Sequence, residues 1–372
     1  MGSEVLLYGY GFVCLSMLIY NIVYSLIMRG SNKRLERKEN LLRRLVAAQI
    51  DRLHAGLDIE AEHMRFLRKK LANINYLIAF DYVCGELKVK AAEDKAIIEY
   101  RRKIQRIILQ LALLYRDRDN MESAYFAYFL SDIKMKKRMD IDTVLSDLLI
   151  DYMKKDSLYC RVNALQALCD LASADAIYRA LRMLDMRDGS LHDKVITDVL
   201  LTYDGDSEEL INLFLAHFEE FTPKIQLPII NFIRFKSEYH EEFMRKLIGD
   251  ASHTKEIRLS AIRYFGKYPY ESVKEQLIEI ATDPDPAKWE YAATAAGALA
   301  IYTGQDVLDA LMKAVHSYNW YVRYNAAESI QGHHLEYSDL LSVVSGSDRF
   351  AREMVMYRLN EQRLEEGEEY SL

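Results

Sequence analysis

Residues that interrupt helices are scarce in this chain, with 15 glycines and 5 prolines among 372 residues. A β fold rich in hairpins needs a turn-former at each reversal. That class is excluded in favour of helices, which Leu, Ala, Ile, Met, Glu, Lys and Arg build easily. Cysteine is scarce too. Cys14, Cys84, Cys160 and Cys169 stand apart without a C-x-x-C pair, so neither a zinc site nor a disulfide framework is indicated. They read as small apolar packing residues, and reduced thiols fit a cytoplasmic location. The sequence also lacks a Walker loop, a G-x-S-x-G elbow and an H-E-x-x-H pair. Gly9-Tyr10-Gly11 falls inside an apolar run, His333-His334 follows Gly332 at an expected surface turn, and Asp283 and Asp285 flank prolines where a capping role suffices. No catalytic residue, metal ligand or cofactor site is assigned. Tyrosine, by contrast, is abundant at 26 residues, which are expected to pack between helices with their hydroxyls at the surface.

The one long apolar run lies at the N-terminus. Val5 to Met28 carries no charge and is bounded by Glu4 and Arg29. As a helix it would be roughly 36 Å long, enough to cross a hydrocarbon core of about 30 Å. No basic residue precedes the run and no small-x-small site closes it, which favours an anchor over a cleaved signal. Arg29, Lys33, Arg34, Arg37, Lys38, Arg43 and Arg44 follow it against only Glu36 and Glu39. Positive charge on that side places the N-terminus outside and the remainder in the cytoplasm of a single-pass cell-membrane protein. Gly11, Cys14, Leu18, Asn21 and Ser25 recur every three or four residues. Gly11, Cys14, Asn21 and Ser25 are thus candidates for packing against another helix in lipid, with Asn21 as the hydrogen-bonding member.

Internal repetition organises the rest. Segments starting at Cys160, Asp193, Ile225, Ile257, Trp289, Val322 and Ala351 align so that Arg161, Lys194, Gln226, Arg258, Glu290, Arg323 and Arg352 recur at intervals of 33, 32, 32, 32, 33 and 29 residues. Three residues after each anchor stands Ala164, Thr197, Ile229, Ala261, Ala293, Ala326 or Val355, and seven after it Leu168, Leu201, Ile233, Phe265, Gly297, Ile330 or Leu359. Small or apolar residues at those two positions mark one buried helix face. A second amphipathic stretch follows in every unit, with pairs such as Ile177 and Leu181 or Val307 and Leu311, and Gly, Asp and Pro punctuate the units. Upstream, residues 96–115, 121–133 and 141–153 are helical in pattern. Leu41, Leu42, Leu45, Val46, Ile50 and Leu53 mark an amphipathic helix just inside the membrane, and Phe66, Leu71, Ile74 and Leu77 the next. The expected organisation is an anchor over 1–28, basic juxtamembrane helices and irregular repeats over 29–157, repeats of about 32 residues over 158–360, and an acidic tail over 361–372.

The segments VRYNAAESI, preceded by HSYNWY, and IRLSAIRYF, preceded by ASHTKE, resemble the D-x-x-x-V-R-x-x-A-x-x-A-L helix of short HEAT repeats, the kind also found in relatives of bilin lyases. Lys194 and Gln226 depart from the arginine of that pattern, and Pro228 stands early in its segment, where a first helical turn tolerates it. The resemblance implies an all-α fold in which the transmembrane helix is followed by an α-α superhelical HEAT-like solenoid, and anchor arginines that tie neighbouring repeats to a carboxylate or backbone. It also implies protein binding rather than catalysis. The expected role is a membrane-anchored cytoplasmic scaffold or regulatory subunit, its partner an integral membrane protein such as a glycosyltransferase or polysaccharide synthase. A bilin-lyase-like enzyme and a self-associating structural element are the alternatives. Trp289, Trp320, Tyr321 and Tyr324 are the candidate partner-binding residues, because they gather near the starts of first helices and away from the buried positions.

Charge is divided along the chain. Residues 29–120 hold 21 Lys and Arg against 13 Asp and Glu, whereas 121–372 hold 28 against 42. The basic part is drawn to an anionic membrane surface, and the acidic part argues against nucleic acid as a partner. A topology reporter fused after Leu372 is expected to be cytoplasmic, and neutralising Arg29, Lys33, Arg34, Arg37 and Lys38 together to give mixed orientation. External reporter activity in the unaltered chain contradicts this orientation.

Overall fold

The structure, a computed structural model, describes residues 2–90, 94–133, 139–171, 173–187, 191–333, 335 and 339–365. Every regular element among them is helical: α1 (Gly2–His54), α2 (Ala61–Lys70), α3 (Ile74–Lys90), α4 (Lys95–Arg116), α5 (Asn120–Ile133), α6 (Met139–Met153), α7 (Leu158–Leu171) and α8 (Ala174–Asp185). There follow α9 (Asp193–Leu200), α10 (Ser207–Ala216), α11 (Pro223–Lys236), α12 (Glu241–Gly249), α13 (Lys255–Phe265), α14 (Glu271–Ala281), α15 (Trp289–Ala298), α16 (Gln305–Ala314), α17 (Trp320–Gly332), α18 (Leu341–Val344) and α19 (Arg349–Glu365). The Asp188-Gly189 breaker, His334 and residues 366–372 of the expected acidic tail lie outside the described residues. Residues 361–365 continue α19. The chain forms two compact units, one of residues 1–180 with 202–205 and one of 181–201 with 206–372.

In the first unit α1 contacts α3, α3 contacts α5 and α5 contacts α7, while α2 meets α4 and α4 meets α6. Helix α1 has 53 residues and is about 80 Å long. The expected break between the apolar run and the amphipathic stretch beyond it is absent, since no proline stands there and Gly30 alone does not interrupt a helix. Its far end buries Leu42, Val46 and Ile50 against α3 and α4. Residues 8–28 are exposed on every side, and the helix is long and apolar enough, by length and composition, to cross a membrane. The single helix expected through Phe66 and Leu77 is instead two. Asn73 ends the first turn region and its side chain accepts the Asn75 N–H at 3.1 Å, the capping bond that starts a new helix.

In the second unit the first helices α9, α11, α13, α15, α17 and α19 each touch the next, and α12, α14, α16 and α18 each pack on the first helix that follows. All seven repeat segments lie in helices, and Ala164, Thr197, Ile229, Ala261, Ala293, Ala326 and Val355 are all buried. The position four residues later is less uniform: Leu201 and Leu359 are half-buried and Gly297 is exposed. Leu201 lies past the end of α9, Gly297 has no side chain to bury, and no helix follows α19 among the described residues. Pro228 is not in a first turn as expected. Helix α11 starts at Pro223, which puts Pro228 in its interior, where it leaves the Lys224 carbonyl without its i→i−4 donor. Close approach replaces bulk between α13 and α15, where a Cβ on Gly266 would stand 3.2 Å from the Ala298 Cα.

The tyrosines correct the sequence reading most clearly. Tyr100, Tyr115, Tyr152 and Tyr264 are fully buried, hydroxyl included. Tyr115 donates to the Leu71 carbonyl at 2.8 Å and Tyr152 to the Ala112 carbonyl at 2.7 Å, while Tyr264 accepts the His240 N–H at 3.2 Å. Buried phenols need such partners, and here they bond backbone of other helices or turns.

Tyr100 shares a 2.9 Å hydrogen bond with Nε2 of His63, which is 5 % exposed on α2. Burial, opposed by Glu60, holds the His63 imidazole down to about 4 from its ordinary 6.5. Between those two pH values the unfolded chain takes up a proton that the folded chain refuses, so stability falls as pH drops from 6.5 towards 4. The contribution is at most about 1.4 kcal/mol per pH unit. Thermal unfolding of His63→Gln against the unaltered chain is expected to show a difference that narrows over this window on acidification. A difference independent of pH contradicts the assignment.

Candidate interaction surface

Of the aromatic residues singled out in the sequence, Trp289, Trp320 and Tyr321 sit at the N-termini of first helices and Tyr324 stands one turn into α17. Asp285 accepts the Ala287 N–H at 2.9 Å in the turn leading to Trp289. Asn319 accepts the Tyr321 N–H at 2.9 Å and so starts α17 at Trp320. Asp348 accepts the Phe350 N–H at 3.0 Å, and its other oxygen meets Nδ1 of His316 at 2.9 Å. Side chains in a first turn lie over the turn N-terminal to them. These rings therefore cover helix starts instead of entering the core.

They form one continuous set of contacts. The Trp289 ring stacks on Tyr321 at 5.3 Å between centroids, Tyr321 meets Trp320 edge to face at 5.1 Å, and Trp320 stacks on Tyr324 at 5.0 Å. Trp320 is 50 % and Tyr321 55 % exposed, while Trp289 and Tyr324 are half-buried. The ladder thus crosses from one repeat to the next, with Trp320 and Tyr321 as its solvent-exposed members. Trp289 also lines a groove of about 440 Å³ with Pro284, Lys313, His316, Tyr318 and Val322.

Residues that sequence reasoning did not assign to this surface complete it. The Arg358 guanidinium lies 4.5 Å from the Tyr324 ring centroid, donates to Glu361 at 2.6 Å and faces Glu328 at 3.8 Å. Phe350, 64 % exposed, carries the Arg323 guanidinium at 5.2 Å. Such cation–π contacts hold aromatic rings in place. The exposed aromatic at the start of α19 was the signal available for Phe350; Arg358 stands outside the repeat's marked positions and gave none.

The repeat anchors have a structural task. Arg161 donates to the Asp156 carbonyl at 3.5 Å, Arg258 to Ile248 at 3.0 Å, Arg323 to Ser317 at 3.0 Å and Arg352 to Gly346 at 3.2 Å. Gln226, one of the departures, makes the equivalent bond to the Phe218 carbonyl at 3.2 Å. Lys194 is exposed. Glu290 instead accepts from Lys255 of the preceding first helix at 2.6 Å. Asp283, the other flanking acid, accepts the Asp285 N–H and pairs with Lys288 at 2.9 Å.

Of the candidates in the apolar run, Cys14, Asn21 and Ser25 line a shallow groove with Leu18, and Gly11 does not. All four are exposed, and a Cβ added at Gly11 would meet nothing within 4 Å. Cys84, Cys160 and Cys169 are buried free thiols while Cys14 is exposed, which sets it apart from the packing role expected of all four. His333 is half-buried at the end of α17, not on the open surface.

With this geometry in view, a family model described as HEAT repeats matches residues 242–331. The match spans α12 to α17 and contains the whole aromatic ladder. No curated protein matches the chain. Within the matched HEAT repeats lie Arg258, Glu290 and Arg323, three of the anchors.

Proposed function

We propose that this chain is a membrane-anchored scaffold or regulatory subunit, not an enzyme, whose HEAT repeats form a superhelical solenoid in the cytoplasm and hold a protein partner. The observation that carries this reading is the ladder of Trp289, Tyr321, Trp320 and Tyr324, which joins two repeats, exposes Trp320 and Tyr321 and is braced by Arg358. Tryptophan, tyrosine and arginine are the residues that most often concentrate binding energy at protein interfaces. Helical repeats commonly mediate protein–protein contact, and that supports the same role here. The exposed apolar half of α1 supports a single crossing, and the basic residues that follow it support an N-terminus outside. The partner is then an integral membrane protein, such as a glycosyltransferase or polysaccharide synthase, since an anchored scaffold meets neighbours in the same plane. Cys14, Asn21 and Ser25 offer that partner a helix face within lipid.

The test is co-purification from membranes. Trp320→Ala and Tyr321→Ala remove exposed rings, so the melting temperature of the purified full chain is expected to stay within the range of surface changes, about 0.5 kcal/mol. Recovery of a membrane protein with the chain is expected to fall by about 30-fold or more, as for loss of a hot spot worth about 2 kcal/mol. Unchanged recovery with both variants rejects the aromatic ladder as the binding surface.

A further inference from the structure

A second surface, at the foot of the apolar run, has a different chemistry. Along α1 the exposed cations Arg29, Lys33 and Arg37 follow one another at four-residue spacing, with Arg34 beside them. This row lies on the side of α1 away from Leu42, Val46 and Ile50, the residues that bury against α3 and α4. Helix α2 ends in Arg68, Lys69 and Lys70. Lys38, which stands off that row on the α3 side of α1, and Lys70 meet at Tyr76 on α3, 5.0 Å and 5.3 Å from the centre of its ring. The two ammoniums are therefore no more than about 10 Å apart, each drawn to the ring by cation–π attraction. Burial and the neighbouring Arg34 both push the Lys38 ammonium towards losing its proton.

Several cations elsewhere in this unit are paired: Arg43 with Glu86, Arg52 with Glu60, and Lys103 with Asp58 and Glu99. In the collar, Arg29, Lys33, Arg34, Arg37, Arg68 and Lys69 make no ion pair among the described residues. Uncompensated like charge held together by the fold is stabilised by an anion. Its position says which anion. Arg34 follows the end of the apolar run by about 9 Å of helix and Lys38 by about 15 Å, which sets Arg34 beside the headgroup layer, roughly the first 5–8 Å beyond the hydrocarbon, and Lys38 on its outer side. Lysine and arginine side chains reach back several ångströms.

We infer that α1 and the end of α2 form a collar that binds anionic phospholipid headgroups, with Arg34, Arg37, Lys38, Lys69 and Lys70 as the contacting cations and Tyr76 as the ring that sets the spacing of Lys38 and Lys70. The inference rests on the reading of α1 as a membrane span. Its consequence is that the first unit is held at the membrane surface by lipid charge as well as by the span.

The experiment places the full chain in nanodiscs of phosphatidylcholine alone, or with phosphatidylglycerol as about a third of the lipid. The rate at which a neutral amine reagent modifies each lysine is then read by mass spectrometry. Lys38, Lys69 and Lys70 are expected to react at least about threefold more slowly in the anionic discs, with Lys194 as the unchanged reference, and high salt or Arg37→Glu with Arg34→Glu is expected to remove the difference. Equal rates in the two discs overturn the collar. Equal protection by inorganic phosphate in neutral discs assigns the site to free phosphate and overturns the lipid. A chain that fails to enter either disc overturns the span instead; salt-sensitive flotation with anionic but not neutral vesicles then keeps the collar, and flotation with neither removes both.

Discussion

Each helix end leaves backbone carbonyls without intrahelical donors, and in this protein the answer to that deficit recurs from unit to unit. A side chain at a fixed place in the first helix reaches back to a carbonyl of the turn or helix before it, as Arg258, Arg323 and Arg352 do, and Gln226 in the same way. The bond fixes how one helix leaves the previous turn. Between first helices, side chains add bonds to helix carbonyls of the preceding unit: Asn325 donates to the Ala293 carbonyl at 2.7 Å and Ser329 to Ala296 at 2.7 Å. In the first unit Tyr115 supplies the donor for the Leu71 carbonyl at the end of α2, while Tyr152 and Asn163 add bonds to the Ala112 and Ala124 carbonyls within α4 and α5. What differs between the units is the donor, and what they share is a side chain that ties one helix to a backbone carbonyl of another helix or turn.

Once the turns are fixed, the positions around them become a surface. The capped starts of α17 and α19 and the Asp285-capped turn before α15 set Trp289, Trp320, Tyr321 and Phe350 at helix starts. The anchor arginines contribute a second time through their guanidinium faces, Arg258 against Tyr291 at 4.9 Å and Arg323 against Phe350 at 5.2 Å. One residue thus closes a turn and braces an aromatic ring of the next repeat.

The repeat frame was legible because it rests on local chemistry. Small residues such as Ala261 and Ala326 at helical spacing declare a buried face without reference to any other part of the chain. What could not be read depends on partners far away. Nothing local to Tyr152 indicates that its hydroxyl reaches Ala112, 40 residues upstream, so its burial was missed. The continuity of α1 was missed because the change from apolar to charged residues at Arg29 marks a change of surroundings and not of backbone. Of the candidate surface, the four aromatics were found from their place outside the frame. Arg358 was not, since its contact with Tyr324 crosses between helices.

The claim on which the rest depends is that the anchor side chains hold the turns. Arg323→Met keeps length and apolar contact while removing the donor, leaving the Ser317 carbonyl without it. Thermal and denaturant unfolding of the full chain in detergent should show a loss of about 1–3 kcal/mol, the range for a buried group deprived of its hydrogen bond. Stability within about 0.5 kcal/mol of the unaltered chain, the range of an ordinary surface change, would contradict the account.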